Sequence, residues 1–389
     1  MKQIAKVLAL TGAAALALSA CGDADGSNDD DGALVGSGSG AECAIDSPVP
    51  IGAAISLTGG AASYGESQRN GLELGAAEIN ELGDITYELT VEDDQTDPRQ
   101  GISVFETLIS DGASTIIGPT LSNTAFQAQP TAQDEGVPVL AISNTAEGIT
   151  EQGDYIFRNS LTEAQVIPQT VRAAVESFDI DSVVVMYSND DAFTESGYEV
   201  FAETLEEDGV DIASTLTFST ADTDFRALLT EAAGAEPDAL MVSGLIEAAI
   251  PLVTQARELG IDVPIVGGNG FNNPQLMADA GEAAEGVVVG AAWNSASEGE
   301  LNDAFKRDYE EEYGTPPDQF AAQAHAAIHI IDAAVRANCS GERDDIQDGL
   351  GQINELDTVL GDITINADRD AEHEAVVQEV RDGQFAVLD

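Results

Sequence analysis

Two short segments carry side chains suited to holding a small anion. IIGPTLSNT places Ser122, Asn123 and Thr124 where an apolar run gives way to a helical pattern, and AISNTAEG repeats the arrangement with Ser143, Asn144 and Thr145. Hydroxyls beside the unpaired N–H groups of a helix N-terminus suit a carboxylate or phosphate. The same residue types are also the commonest helix caps, so one such loop says little. Two in succession, at the ends of neighbouring strands, favour a cleft that holds a carboxylate. Covalent chemistry has no comparable signature: there is no P-loop, no G-x-S-x-G elbow and no G-x-G-x-x-G after a strand. His325 and His329 have the spacing of two ligands on one helix face, but a metal site needs a third ligand and an open position. His373 is distant in the chain. The pair reads as helix packing, and neither a metal nor a cofactor is expected.

The elements that must position these loops alternate. From about residue 48, VPIGAAISL, ITYELTVEDD, STIIGP and VPVLAIS read as strands, separated by helical patterns such as SYGESQRNGLELGAAEINEL, with Leu72, Ala76 and Ile79 on one face. DPRQGISVFETLISDG opens at Asp97-Pro98 and closes at Gly112, as cap rules require. The pattern restarts near residue 164 and ends in two helices, LNDAFKRDYEEEYG and QFAAQAHAAIHIIDAAVRANC. Strands alternating with helices predict an α/β protein with parallel sheets covered on both faces. The length calls for two doubly wound lobes, with ligand beyond the carboxyl ends of the strands.

The first residues have another purpose. Lys2 and Lys6 head an apolar run over 7–20, too short to span a bilayer, which describes a signal peptide at 1–20. Leu18-Ser19-Ala20-Cys21 resembles the bacterial lipobox, which implies that Cys21 is acylated and becomes the mature N-terminus, holding the protein on a membrane. The Gly, Ser and Asp of residues 21–46 predict a solvated tether. The chain of 389 residues carries 71 Asp and Glu against 14 Lys and Arg, a formal net charge of −57. That balance excludes nucleic acid as a partner, because phosphate binding needs clustered cations. It reads as a surface adapted to high salt, where screening removes most of the repulsion; structure retained on dialysis into low salt would contradict this. Beyond Cys21 only Cys43 and Cys339 remain, either a disulfide in an exported protein or two unrelated thiols.

From about Pro50 to the C-terminus, the segments ISLTGGAASYGESQRNGLELGAAEIN, VEDDQTDPRQGISVFETLISDG, IIGPTLSNT, DEGVPVLAIS, TDFRALLTEAAGAEPDALMVSG, QARELGIDVPIVGGNGF and AAEGVVVGAAW together resemble the type I periplasmic binding proteins of the leucine/isoleucine/valine group. These are ligand-capturing subunits of ABC importers. The resemblance implies two Rossmann-like lobes joined by a hinge of three crossings, near residues 164, 293 and 365. Lobe 1 would take 47–164 and 294–364, and lobe 2 would take 165–293 and 365–389. It implies an exported monomer that captures a small molecule, presents it to importer membrane subunits and performs no covalent chemistry. Matched to the family's pocket, Tyr64 walls the cleft, Ser122 binds the ligand carboxylate beside Asn123, and Ser143, Asn144 and Thr145 hold carboxylate and amine. Phe193 and Trp293 are pocket aromatics. Two positions depart from the pattern. Asn269 stands where amino-acid binders of the family place an acid for the ligand ammonium, and Leu245-Ile246 stand where an aromatic is common. Glu247 or Asp191 would then supply the missing charge, or the ligand is an amide or a carboxylate without an amine. A ligand sensor on the same fold, or an exported enzyme, are the readings of other classes.

Overall fold

The computed structural model describes residues 34–297 and 299–388. The expected signal peptide, Cys21 and the first part of the tether lie outside the described residues. The first lobe begins with β1 (Val49–Ile55), α1 (Ala62–Leu82), β2 (Tyr87–Asp93), α2 (Pro98–Ser110), β3 (Thr115–Ile117), α3 (Ser122–Asp134), β4 (Val139–Ala141) and β5 (Ile156–Arg158). The second contains α4 (Glu163–Phe178), β6 (Ser182–Ser188), α5 (Ala192–Asp208), β7 (Asp211–Phe218), α6 (Arg226–Gly234), β8 (Ala239–Ser243), α7 (Ile246–Glu258), β9 (Ile265–Gly267), α8 (Gln275–Ala280) and β10 (Val287–Ala291). Then α9 (Glu300–Tyr313), α10 (Gln319–Asn338), α11 (Arg343–Leu350), β11 (Leu356–Thr358), β12 (Gly361–Ile365) and β13 (Ala371–Glu372) return to the first lobe. The hairpin β14 (Val376–Arg381) and β15 (Gln384–Val387) completes the second.

Both main sheets follow from the same physics. The first runs β2-β1-β3-β4-β5, all parallel, and the second β15-β14-β10-β9-β8-β6-β7, parallel except for the terminal hairpin. Central strands such as β8 and β10 are buried at every residue because helices cover both faces, whereas the edge strand β2 is buried only at Tyr87 and then alternates exposed and half-buried positions. Helix starts use the expected chemistry: Asp97 accepts from Arg99 N–H ahead of Pro98, and Thr162 and Gln165 form a capping box at α4. In each sheet the order reverses beside its first strand, between β1 and β3 and between β6 and β8. Such switch points open a crevice at the strand ends.

Two boundaries differ from expectation. The third crossing lies between β13 and β14 rather than at 365, because Ile365 pairs with Ala371 and both sit in the first lobe's core. The tether is shorter than 21–46: Val35 pairs with Ser340, Ser37 pairs with Ala44, and Cys43 and Ile45 are buried in that same core. A disulfide joins Cys43 to Cys339, 296 residues apart, and fastens this N-terminal strap to the end of α10.

In the first lobe α1 and α10 pack closely because α1 presents glycines. A Cβ on Gly71 would overlap the Ala321 carbonyl, and one on Gly75 would lie 3.1 Å from the His325 carbonyl oxygen. Gly71→Ala must therefore push two helix backbones apart and is expected to cost about 2 kcal/mol, within the usual range for overpacking. Urea unfolding checks this, an unchanged midpoint counting against it.

Candidate functional site

The two switch points face each other and enclose a narrow cavity. The first lobe contributes Tyr64 and Phe320 from the starts of α1 and α10, together with Thr120, Leu121, Ser122 and Ser143. The second contributes Asp191, Phe193, Leu245, Asn269 and Gly270. The space between them is about 20 Å³, little more than one water needs. An amino-acid-sized molecule does not fit this space as it stands.

One pole is built to receive negative charge. Ser122 opens α3, whose first-turn N–H groups have no intrahelical acceptor. Its Oγ is buried and has no hydrogen-bond partner. Behind it a closed ring fixes the loops: Gln68 Nε2 donates to Ser143 Oγ (2.7 Å), Ser143 Oγ to the Thr120 carbonyl (2.6 Å), and Thr120 Oγ1 to Gln68 Oε1 (2.7 Å). Ser56 N–H donates to Thr120 Oγ1 at 2.9 Å, tying the ring across the switch point.

The opposite pole is negative. Asp191 caps α5 through Thr194 N–H (3.0 Å) and accepts from Asn123 Nδ2 at 2.7 Å, yet only 4% of it is exposed. Burial raises its pKa above the ordinary range; the N–H groups of Thr194 and Phe193 oppose this and Asp190 adds to it. Between the poles lie the apolar walls of Phe193, Leu245 and Phe320.

Tyr64 latches the lobes. Its hydroxyl donates to the Gly270 carbonyl (2.6 Å) and accepts from Ile246 N–H (2.8 Å), both across the cleft, while its ring packs on Phe320 with centroids 4.7 Å apart. Asn123 adds a second clasp, since its Oδ1 also accepts from Ala192 N–H at 2.9 Å.

The structure thus gathers Tyr64, Ser122, Ser143, Phe193 and Asn269 at one cavity and puts Asn123 on its rim. It places the other residues elsewhere. Glu247 is exposed, its carboxylate lying against Gly60; Asp191 is the acid that reaches the cavity. Asn144 and Thr145 do not line the cavity: Asn144 Nδ2 donates to the Thr120 carbonyl (3.4 Å) behind the lining, its own carbonyl accepts from Arg158 Nη1 (2.9 Å), and the Thr145 carbonyl accepts from Glu163 N–H (3.1 Å). Trp293 packs edge-on to Phe305 in the first lobe's core and donates to Asn302 Oδ1 at 2.8 Å. Asn269 Oδ1 accepts from Gln319 Nε2 at 2.5 Å, so one of its two acceptor positions is already engaged and it carries no charge for an ammonium. Sequence reasoning missed Gln68, Thr120, Gly270 and Phe320. For Gln68 a signal existed: Tyr64 and Gln68 continue the stripe of Leu72 and Ala76 at i, i+4 spacing, and a polar residue on a buried stripe needs a partner.

Outside the cavity lining, Glu163 opens α4 with its Oε2 unpartnered and almost no exposure. A Cβ on Gly197 would lie 3.6 Å from that oxygen and 2.5 Å from Ser243 Oγ. Burial pushes the carboxyl up to about 7 against the opposing Thr145 hydroxyl and Arg158 charge. Its stabilising protonation is complete below the unfolded value near 4.5 and is lost as pH rises through about 7. The loss in that window is about 2 kcal/mol, allowing for relaxation around a buried acid. Glu163→Gln is expected to flatten this slope in denaturation curves taken between pH 4.5 and 8; an identical slope in the variant would remove Glu163 from the account.

Two doubly wound lobes shut on a polar-ended cavity define a hinged ligand-capture protein. The chain belongs to the family described as periplasmic binding protein, which matches residues 48–384. The Leu/Ile/Val-binding protein BraC3 of Rhizobium johnstonii is 25% identical over 321 residues, covering 81% of this chain and 87% of that one. The branched-chain amino acid transporter substrate-binding protein LivJ of Streptococcus pneumoniae, solved with isoleucine, superposes with a TM-score of 0.83 and 27% identity, over 87% of this chain and 98% of that one. An ABC transporter solute-binding protein of R. palustris, solved with benzoate, has the same fold at 22% identity and a TM-score of 0.81, over 88% of this chain and 96% of that one.

Proposed function

We propose that this protein is the substrate-binding component of an ABC importer, exported and held outside the cell membrane by acylation at Cys21. It captures an α-amino acid of the branched-chain class and carries out no reaction on it. One observation carries the choice of ligand: the unpartnered Ser122 hydroxyl and α3 N-terminus face the buried Asp191 carboxylate across apolar walls of Phe193, Leu245 and Phe320. A zwitterion with an aliphatic side chain matches all three features, its carboxylate at Ser122 and its ammonium at Asp191. The relatives named for leucine, isoleucine and valine support the same class.

Asn269 favours a second reading, a carboxylate without an amine. Thermal-shift measurements on the full chain in high salt separate the two. The ligand panel pairs leucine, isoleucine and valine with their deaminated acids and their amides. A ligand at a hundred times its dissociation constant adds about 2.7 kcal/mol, a visible shift. Shifts with amino acids alone support the proposal; shifts with deaminated acids alone establish the second reading, and none with any of them rejects both.

A further inference from the structure

We infer that Glu78, His325 and His329 form a binding site for a zinc-type divalent transition ion on the first lobe, outside the ligand cleft. The two histidines lie one turn apart on α10, and the third donor comes from α1. Glu78 Oε2 lies 2.8 Å from His325 Nε2 and 3.5 Å from His329 Nε2, and one donor atom from each residue falls within 4.8 Å of the others. Among the described residues this is the one cluster of three such donors.

The backbone explains why they meet. The close approach at Gly71 and Gly75 sets α1 parallel to α10, with Gly71 beside Ala321 and Gly75 beside His325 and Ile328. The next residue on that face of α1 is Glu78, which therefore falls between His325 and His329. Three ligands on a tetrahedral ion at about 2.0–2.1 Å sit roughly 3.3 Å from one another. The Glu78–His329 separation, 3.5 Å, is close to that value, the Glu78–His325 separation, 2.8 Å, needs to open by about half an ångström, and the two imidazole donors, within 4.8 Å of each other, need to draw together by at most about 1.5 Å.

The donor set selects the ion. Two imidazoles and one carboxylate suit zinc, copper or nickel, while calcium and magnesium need oxygen ligands. The site is also half open. The His325 side chain is 5% exposed and is held by Phe305 at a centroid distance of 4.8 Å, whereas Glu78 and His329 are 34% and 29% exposed. A fourth position is therefore accessible to water. No histidine in this cluster touches the cleft, but α1 and α10 carry Tyr64 and Phe320 to it at their N-terminal ends. A bound ion would clamp together the two helices that present the latch.

The test is a calorimetric titration of the full chain with Zn²⁺, after chelator treatment, in high salt with excess Mg²⁺ to occupy unspecific surface carboxylates. The expected result is one saturable equivalent in the wild type and in His373→Ala. His329→Ala and Glu78→Gln should each bind at least about a hundredfold more weakly, since losing even an outer-shell partner costs 10–100-fold. Both altered side chains are partly exposed, so the variants are expected to fold, with circular dichroism as the check. Substitution with Co²⁺ should give the strong visible bands of a four-coordinate site in the wild type and in His373→Ala, and not in His329→Ala or Glu78→Gln. Absence of a saturable equivalent in the wild type overturns the inference, as does an equivalent of the same affinity in His329→Ala and Glu78→Gln.

Discussion

Asp191→Asn is expected to weaken capture of an α-amino acid by at least about thirtyfold, because removing one partner of a buried charge pair costs about 2–5 kcal/mol. The fold should survive, since asparagine caps a helix as well as aspartate and keeps its shape. The charge effect is separable from any loosening of the Asn123 clasp by comparing an amino acid with its deaminated acid in calorimetry. Loss confined to the amino acid assigns the ammonium to Asp191. Equal loss for both ligands means the residue acts through closure alone. Because burial holds this carboxyl above the ordinary aspartate range, affinity for the zwitterion should also fade at a higher pH on acidification than a surface aspartate would allow. In Asp191→Asn that acid limb should disappear.

Removing the Cys43–Cys339 bridge is the largest expected change in stability. The bond closes a loop spanning 296 residues of sequence, so its loss frees much of the unfolded chain from constraint, worth about 4 kcal/mol. The effect should be local in structure. Without the bond, the strap over residues 34–46 is held by the Val35–Ser340 and Ser37–Ala44 bridges and by Ile45 in the core. Denaturation of the double variant Cys43→Ser with Cys339→Ser should show a lower midpoint, and proteolysis should cut first within the strap. A midpoint equal to that of the oxidised wild type would show that apolar packing of the strap suffices.

The metal inference and the cleft draw on the same pair of helices, and that shows how sequence and structure divide the information. HAAIH announces two donors on one helix face, but Glu78 lies 247 positions from His325, and nothing local marks it. Its place is set by glycines that let α1 approach α10. Of the two segments that read as strand-to-helix turns, only the first precedes a helix: Ser122 opens α3, with Leu121 at its cap, whereas no α-helix follows Ser143, Asn144 and Thr145 before β5, because the chain there turns toward the hinge. Asp191 was one of two acids that could supply a positive ligand group's partner. Asp191 opens α5 beside the second switch point, whereas Glu247 turns outward over Gly60. Trp293 looked like a pocket aromatic beside a crossing, but the lobe boundary there turns its ring into the core formed by Phe305.

By itself the sequence determined the alternation of strands and helices, their caps, the two-lobed class, the family resemblance and the acidic surface. All of these depend on residues within a few turns of one another or on composition. Only the tertiary structure decided which acid faces the cavity, that Cys43 and Cys339 are joined, that residues 356–372 form a small sheet on the first lobe, and that Tyr64 reaches Gly270 and Ile246 across the cleft. The reason is physical: these features arise between segments tens to hundreds of residues apart. Their free energies come from burial and from closing partners across the fold, which leave no periodicity in the chain to read.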